Sequence, residues 1–215
     1  MVKRFDLAID KYQTAAYLSS IRSKRDVLNL WMETIKNYLA GQPAEEKDTV
    51  ARLSIHIDSM CRLFCTIEGG KKIFSLSFPF SVTLKNDQYR FFSREGVEID
   101  SRVSSNVIAL IETGGILRAQ DFSTFIDPIM EMSEYDPQLW TLVRELMIAE
   151  DGYIRYDWDE ERQDGHRHPL HHLDVYYSNG NTFKVGLGQQ ISQPNLVEIL
   201  DSATNCHYLR PAEPL

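Results

Sequence analysis

Residues 48–70, DTVARLSIHIDSMCRLFCTIEGG, decide how the first third of the chain reads. Asp48 or Thr49 offers a side-chain oxygen to the unpaired N–H groups of a first helical turn, and Gly69-Gly70 offers a stop. Between them Val50, Leu53, Ile57, Met60, Leu63 and Phe64 recur at helical spacing, which predicts one apolar helix face. The upstream segments read the same way. Val27, Leu28, Trp31, Ile35, Tyr38 and Leu39 keep helical spacing until Gly41 and Pro43, and Phe5, Ile9, Tyr12, Ala16 and Ile21 precede them with a similar rhythm. Three such helices predict an N-terminal bundle.

After Gly70 the pattern changes. Ile73 to Leu84 is rich in Phe, Val and Thr, Asn86-Asp87 makes a turn, and Tyr89, Phe91 and Phe92 follow, which predicts a β-hairpin interrupted at Pro79. Helical spacing returns in three pieces. The first is Val103 to Ile111, closed by Gly114-Gly115; the second starts near Asp121 and bends at Pro128. The third is opened by Asp136-Pro137 and carries Leu139, Trp140, Val143, Leu146 and Met147. The tail reads as a strand from Tyr153 to Trp158, a polar loop from Asp159 to Pro169, and a strand from Leu173 to Tyr177. A tight turn at Ser178–Asn181 and a strand from Phe183 to Leu187 follow. Ser192 and Pro194 then open a last helix through Leu196, Val197, Ile199 and Leu200. The expected fold class is α+β: an N-terminal helical bundle packed with small antiparallel β elements, and a C-terminal β-meander closed by a helix. Residues 1–150 form the mainly helical part, with the hairpin near 73–92, and residues 151–215 form the meander and helix, together as one compact domain.

Composition bounds the function. The 215 residues carry 23 Lys and Arg against 31 Asp and Glu, a net charge of −8. That balance argues against a general grip on a phosphate backbone, which needs an excess of cations. A local site remains open, and Lys71-Lys72, Arg90 and Arg94 beside Phe91-Phe92 form the one aromatic–cation stretch suited to single strands. MVKRFDLAIDKYQ is not followed by an apolar signal region, and no run approaches the roughly 20 apolar residues of a membrane span, so the expectation is a cytoplasmic chain with no membrane contact. Cys61 and Cys65 stand four apart and Cys206 stands alone, a pattern expected of buried small hydrophobes.

The chemically unusual stretch is the tail. Four of the six histidines, His166, His168, His171 and His172, fall within seven residues of GHRHPLHHLD. Period-two geometry puts His172 and Asp174 on one strand face, and Arg155 and Asp157 on one face of the strand before the loop. With Pro169 turning the chain back, Asp157, His168, His172 and Asp174 are the candidate ligands of a divalent metal. Arg155, Asp157, His168 and His172 are the candidate catalytic residues: carboxylate and imidazole for proton transfer, guanidinium for an anionic group. The structural alternative is that these groups only hydrogen-bond the loop in place. HExxH, CxxC, a complete Gly-rich phosphate loop and a nucleophile elbow are not in the sequence.

The YIRYDWDEE strand, His168-Pro169 with His172 three residues on, and the proline-opened closing helix resemble the C-terminal half of an uncharacterised bacterial family known as domain of unknown function 2290. The resemblance covers Tyr153 to Tyr208 and carries over Arg155, Asp157, His168, Pro169 and His172. The chain departs from it at Asp174, where the family places a further histidine, and at Phe183-Lys184-Val185-Gly186, where the family has an Arg-Ile-Pro-like strand. Such proteins look like accessory genes of bacterial mobile or antiviral defence loci.

Two functions follow as expectations. One is a non-catalytic or regulatory partner protein of a bacterial defence or toxin–antitoxin-like complex, bound to another subunit or to its own copies through anchors such as Trp31 and Trp140. The other is a metal-dependent hydrolase or nuclease acting on phosphodiester or nucleotide substrates through the histidine cluster.

Overall fold

A computed structural model describes residues 3–57, 60–113, 136–178 and 181–204. Its centre is a seven-stranded antiparallel sheet of β1 (Lys3–Ile9), β2 (Ala51–Ile57), β3 (Arg62–Ile67), β4 (Lys72–Ser77), β7 (Ile154–Trp158), β8 (His171–Ser178) and β9 (Asn181–Leu187), hydrogen-bonded in that order. A separate hairpin pairs β5 (Ser81–Lys85) with β6 (Gln88–Phe92). The helices are α1 (Ala15–Leu18), α2 (Lys24–Ala40), α3 (Ser101–Thr113), α4 (Pro137–Ile148) and α5 (Gln193–Leu200).

This overturns the expected N-terminal bundle. The decisive stretch 48–70 is a hairpin of two adjacent strands, with Leu53 opposite Cys65 and Ile55 opposite Leu63. Phe5 and Ile9, expected at the start of a helix, lie on β1 opposite Ile55 and Ala51. The misreading has a physical cause. Both faces of β2 and β3 are covered in the middle, so Ser54, His56 and Phe64 are buried together with Leu53, Ile55 and Leu63. Alternation is therefore lost, and a run buried on both faces fits a helical template by chance. Composition carried the better signal: Ile, Thr, Phe and Val favour a pleated surface. Cys61, at φ 42°, directly precedes β3 and is exposed, while Cys65 is buried on that strand, so the two share no helix face and only Cys65 is the expected buried small hydrophobe.

The other helices match their sequence signals. Ser23 and Asp26 form a capping box at the start of α2, and Gly41, at φ 62°, ends it in a conformation that L side chains rarely adopt. Asp136 accepts from the Leu139 N–H to cap α4, and Ser192 from the Asn195 N–H to cap α5. Pro79 falls between β4 and β5 and separates the main sheet from the hairpin, whose Asn86-Asp87 turn has both residues at positive φ. The helix expected from Asp121 through Pro128 lies outside the described residues, as does Cys206. The sheet runs without interruption across residue 150, since Phe74 of β4 pairs with Arg155 of β7.

Two apolar layers cover the sheet. On one face α2 packs with α3 and the hairpin over β1–β4. Trp31 and Tyr38 are fully buried there and pinned by their polar ends, Trp31 Nε1 donating to the Ser77 carbonyl at 2.7 Å and Tyr38 Oη to that of Phe5 at 2.7 Å. Trp31 is thus a core residue and not an interface anchor. On the other face Leu196 of α5 closes over Phe64, Ile73, Ile154, Tyr156 and Leu173. The two layers are offset, and their offset sets up the site.

Candidate functional site

The register aligns one row of side chains across all seven strands: Leu7, Leu53, Cys65, Phe74, Arg155, Asp174 and Lys184. The next row on the same face runs Ile9, Ala51, Ile67, Lys72, Asp157, His172 and Gly186. Both rows are apolar on β1–β3; on β7–β9 the first is charged throughout and the second carries Asp157 and His172 before ending on Gly186. Lys72 already marks the change at β4.

Arg155 lies between the two carboxylates. Its Nε donates to Asp157 Oδ2 and its second terminal nitrogen to Asp174 Oδ2, both at 2.7 Å. Burial alone would depress the Arg155 pKa, but Tyr153, Asp157 and Asp174 more than offset it and hold it above the ordinary arginine range. Lys184 donates from Nζ to Asp174 Oδ1 at 2.8 Å and lies 2.8 Å from His172 Nε2. His172 Nδ1 lies 2.8 Å from the Pro169 carbonyl, which only accepts; the network therefore places the proton on Nδ1 and the lone pair on Nε2. His172 Nε2 is 3.8 Å from Asp157 Oδ2. Asp157, His172 and Asp174 are all buried, and each offers one ligand atom within 4.8 Å of the others.

The loop from Asp159 to Leu170 covers this cluster. Asp159 N–H donates to the Leu170 carbonyl at 2.9 Å, and Asp164 and His168 form a bridge around a turn where Gly165 takes φ 47°. Pro169 then lies against β9. A Cβ built on Gly186 would sit 3.0 Å from Pro169 Cγ, so the glycine opposite His172 makes room for the loop.

Three of the four expected metal ligands converge: Asp157, His172 and Asp174. His168 does not join them. Its Nε2 pairs with Asp159 Oδ2 at 3.1 Å, and its ring packs edge-on against that of His172 with centroids 4.7 Å apart. Burial raises the Asp159 pKa, but the Arg162 N–H and His168 outweigh it and leave it below the usual range. Arg155, expected to grip an anionic group, is engaged by both carboxylates. The histidine density dissolves in space: His166 is exposed, and His171 lies on the opposite sheet face with Nδ1 2.9 Å from Tyr156 Oη.

Lys184 is the member of the cluster that the sequence reading left without a role. Period-two spacing along β9, in register with Asp174, was the signal available. In the aromatic–cation stretch suited to single strands, Phe91 is fully buried and Arg90 is held bidentately by Glu98 at 2.8 and 2.7 Å. Among the described residues no helix is long and apolar enough to cross a membrane. Compared with known family models, curated proteins and solved structures, the chain matches none.

Proposed function

We propose that the chain is a metal-dependent hydrolase of phosphodiester or nucleotide substrates, with a divalent ion held by Asp157, His172 and Asp174. One observation carries this reading: His172 donates Nδ1–H to a backbone carbonyl, which leaves its Nε2 lone pair, now accepting from Lys184, beside two buried carboxylates. A metal-binding imidazole is oriented by such an outer hydrogen bond, which fixes tautomer and ring together. Arg155 does the same for the carboxylates, holding one oxygen of each. Two carboxylates and one imidazole suit Mn2+ or Zn2+, and three protein ligands leave a position for water, whose pKa such an ion brings towards about 7. His168 and Asp159 then support the loop that encloses the ion.

The test is hydrolysis of a generic phosphodiester such as bis(p-nitrophenyl) phosphate with Mn2+ or Zn2+. Activity that needs the ion and disappears in Asp157→Asn and His172→Gln, with folding intact, is the expected result. Activity equal to that of the ion alone, or unchanged in both variants, contradicts the reading.

The partner-protein reading keeps one specific support. Ile148, at the end of α4, is 80% exposed on the rim of a cavity of about 470 Å3 that Phe78, Phe80 and Leu146 also line. A protein seated there would bury it, as interface cores do. Size-exclusion chromatography with the products of neighbouring genes decides: co-elution that Ile148→Asp abolishes supports it, and a monomer that co-elutes with none of them contradicts it.

A further inference from the structure

Resting on the metal-site reading above, we infer that Lys184 is a tethered competitor for the metal: its ammonium bridges His172 and Asp174, two of the three would-be ligands, and leaves when a divalent ion binds. The geometry is specific. Nζ sits 2.8 Å from both Asp174 Oδ1 and His172 Nε2, two of the three atoms that would bind the ion. Ligand atoms around one ion at about 2.0–2.2 Å lie only about 3–3.5 Å apart, whereas here His172 Nε2 is 3.8 Å from Asp157 Oδ2 and the three atoms lie within 4.8 Å of one another. An ammonium is bulkier than a bare ion, and it stands between His172 and Asp174.

The two cations of the cluster differ in their freedom to move. Arg155 bridges both carboxylates from the middle of the sheet, and its side chain is 19% exposed. Lys184 stands on β9, which pairs with β8 alone, and its side chain is 33% exposed on a flexible four-carbon stem. Lys184 is the one that can swing out. Charge follows the exchange. Two carboxylates against Arg155 and Lys184 sum to zero, with His172 neutral; replacing the lysine by a divalent ion leaves one positive charge at the site and a released ammonium at its mouth. Both favour a phosphate group, so metal loading and affinity for an anionic substrate rise together.

The experiment is calorimetric titration with Zn2+ of the full chain, comparing wild type with Lys184→Met and Lys184→Gln. The inference predicts that both variants bind Zn2+ at least tenfold more tightly than wild type. Wild type binding as tightly as the variants, or more tightly, overturns the inference and leaves the metal reading standing. Failure of all three to bind at millimolar Zn2+ overturns the metal reading, and the inference falls with it. Where a variant is too unstable to titrate, its thermal midpoint with and without Zn2+ gives the same comparison, with a larger metal-induced rise than wild type expected and an equal or smaller rise contradicting it.

Discussion

One face of the sheet serves two different purposes. Over β1–β4 its rows carry Leu7, Leu53, Cys65 and Phe74, and α2 seals them with Trp31 and Tyr38. Over β7–β9 the same rows carry Arg155, Asp157, His172, Asp174 and Lys184, and a polar loop lies over them. Strand pairing is continuous across the join. What changes is the cover, because the helical layer stops short and leaves this end to side chains that pair with one another. The apolar half holds the fold, and the charged half is a place where buried charge has been kept despite its desolvation cost.

Substitutions separate the halves by size of effect. Trp31→Ala removes a fully buried indole and its bond to Ser77, and chemical denaturation is expected to show a loss of about 3–5 kcal/mol that salt and metal ions do not alter. Arg155→Ala leaves two buried carboxylates without their shared cation, and a loss of similar size, about 3–5 kcal/mol, is expected. Here the halves diverge. Adding Asp157→Asn and Asp174→Asn to Arg155→Ala recovers most of the loss, whereas no polar change rescues Trp31→Ala. If the triple variant is as unstable as the single one, Arg155 does not act by compensating charge.

A smaller effect comes from pH. Burial pushes the Tyr153 phenol up to about 12, and it also raises Tyr17 and Cys65 above their ordinary values. Below pH 10 Tyr153 is protonated whether the chain is folded or not. Between pH 10 and about 12 the unfolded chain loses that proton while the folded chain keeps it, so stability falls as pH rises, by up to about 1.4 kcal/mol per unit for this group. Tyr153→Phe is expected to flatten this alkaline decline, and an unchanged slope would show that the Tyr153 phenol does not cause it. Smallest is Gly186→Ala, which crowds Pro169 and is expected to cost about 1 kcal/mol while loosening the loop over His172. Faster hydrogen exchange across residues 159–170 would register it, and exchange equal to wild type would show that Pro169 yields freely.

The charged half was far more legible in the sequence than the apolar half. Strands β7–β9 stand near one edge of the sheet, with turn residues between them, and their shared faces followed from period two. Caps at Asp136 and Ser192 announced their helices through chemistry that acts within four residues. The β2–β3 hairpin was hidden because Ser54 and His56 are buried against each other, with Oγ and Nε2 3.0 Å apart, which erases the polar side of the alternation. Nor did sequence density of histidine predict proximity: adjacent residues on a strand face opposite ways, so His171 and His172 parted, while Lys184 arrived from another strand by register.

The most direct measurement is anomalous X-ray diffraction from crystals of the chain grown with Zn2+. The account predicts one peak about 2.0–2.2 Å from His172 Nε2 and from a carboxylate oxygen each of Asp157 and Asp174, with the Lys184 ammonium moved away from His172. No peak at this cluster, with Lys184 still bonded to His172 and Asp174, would contradict it.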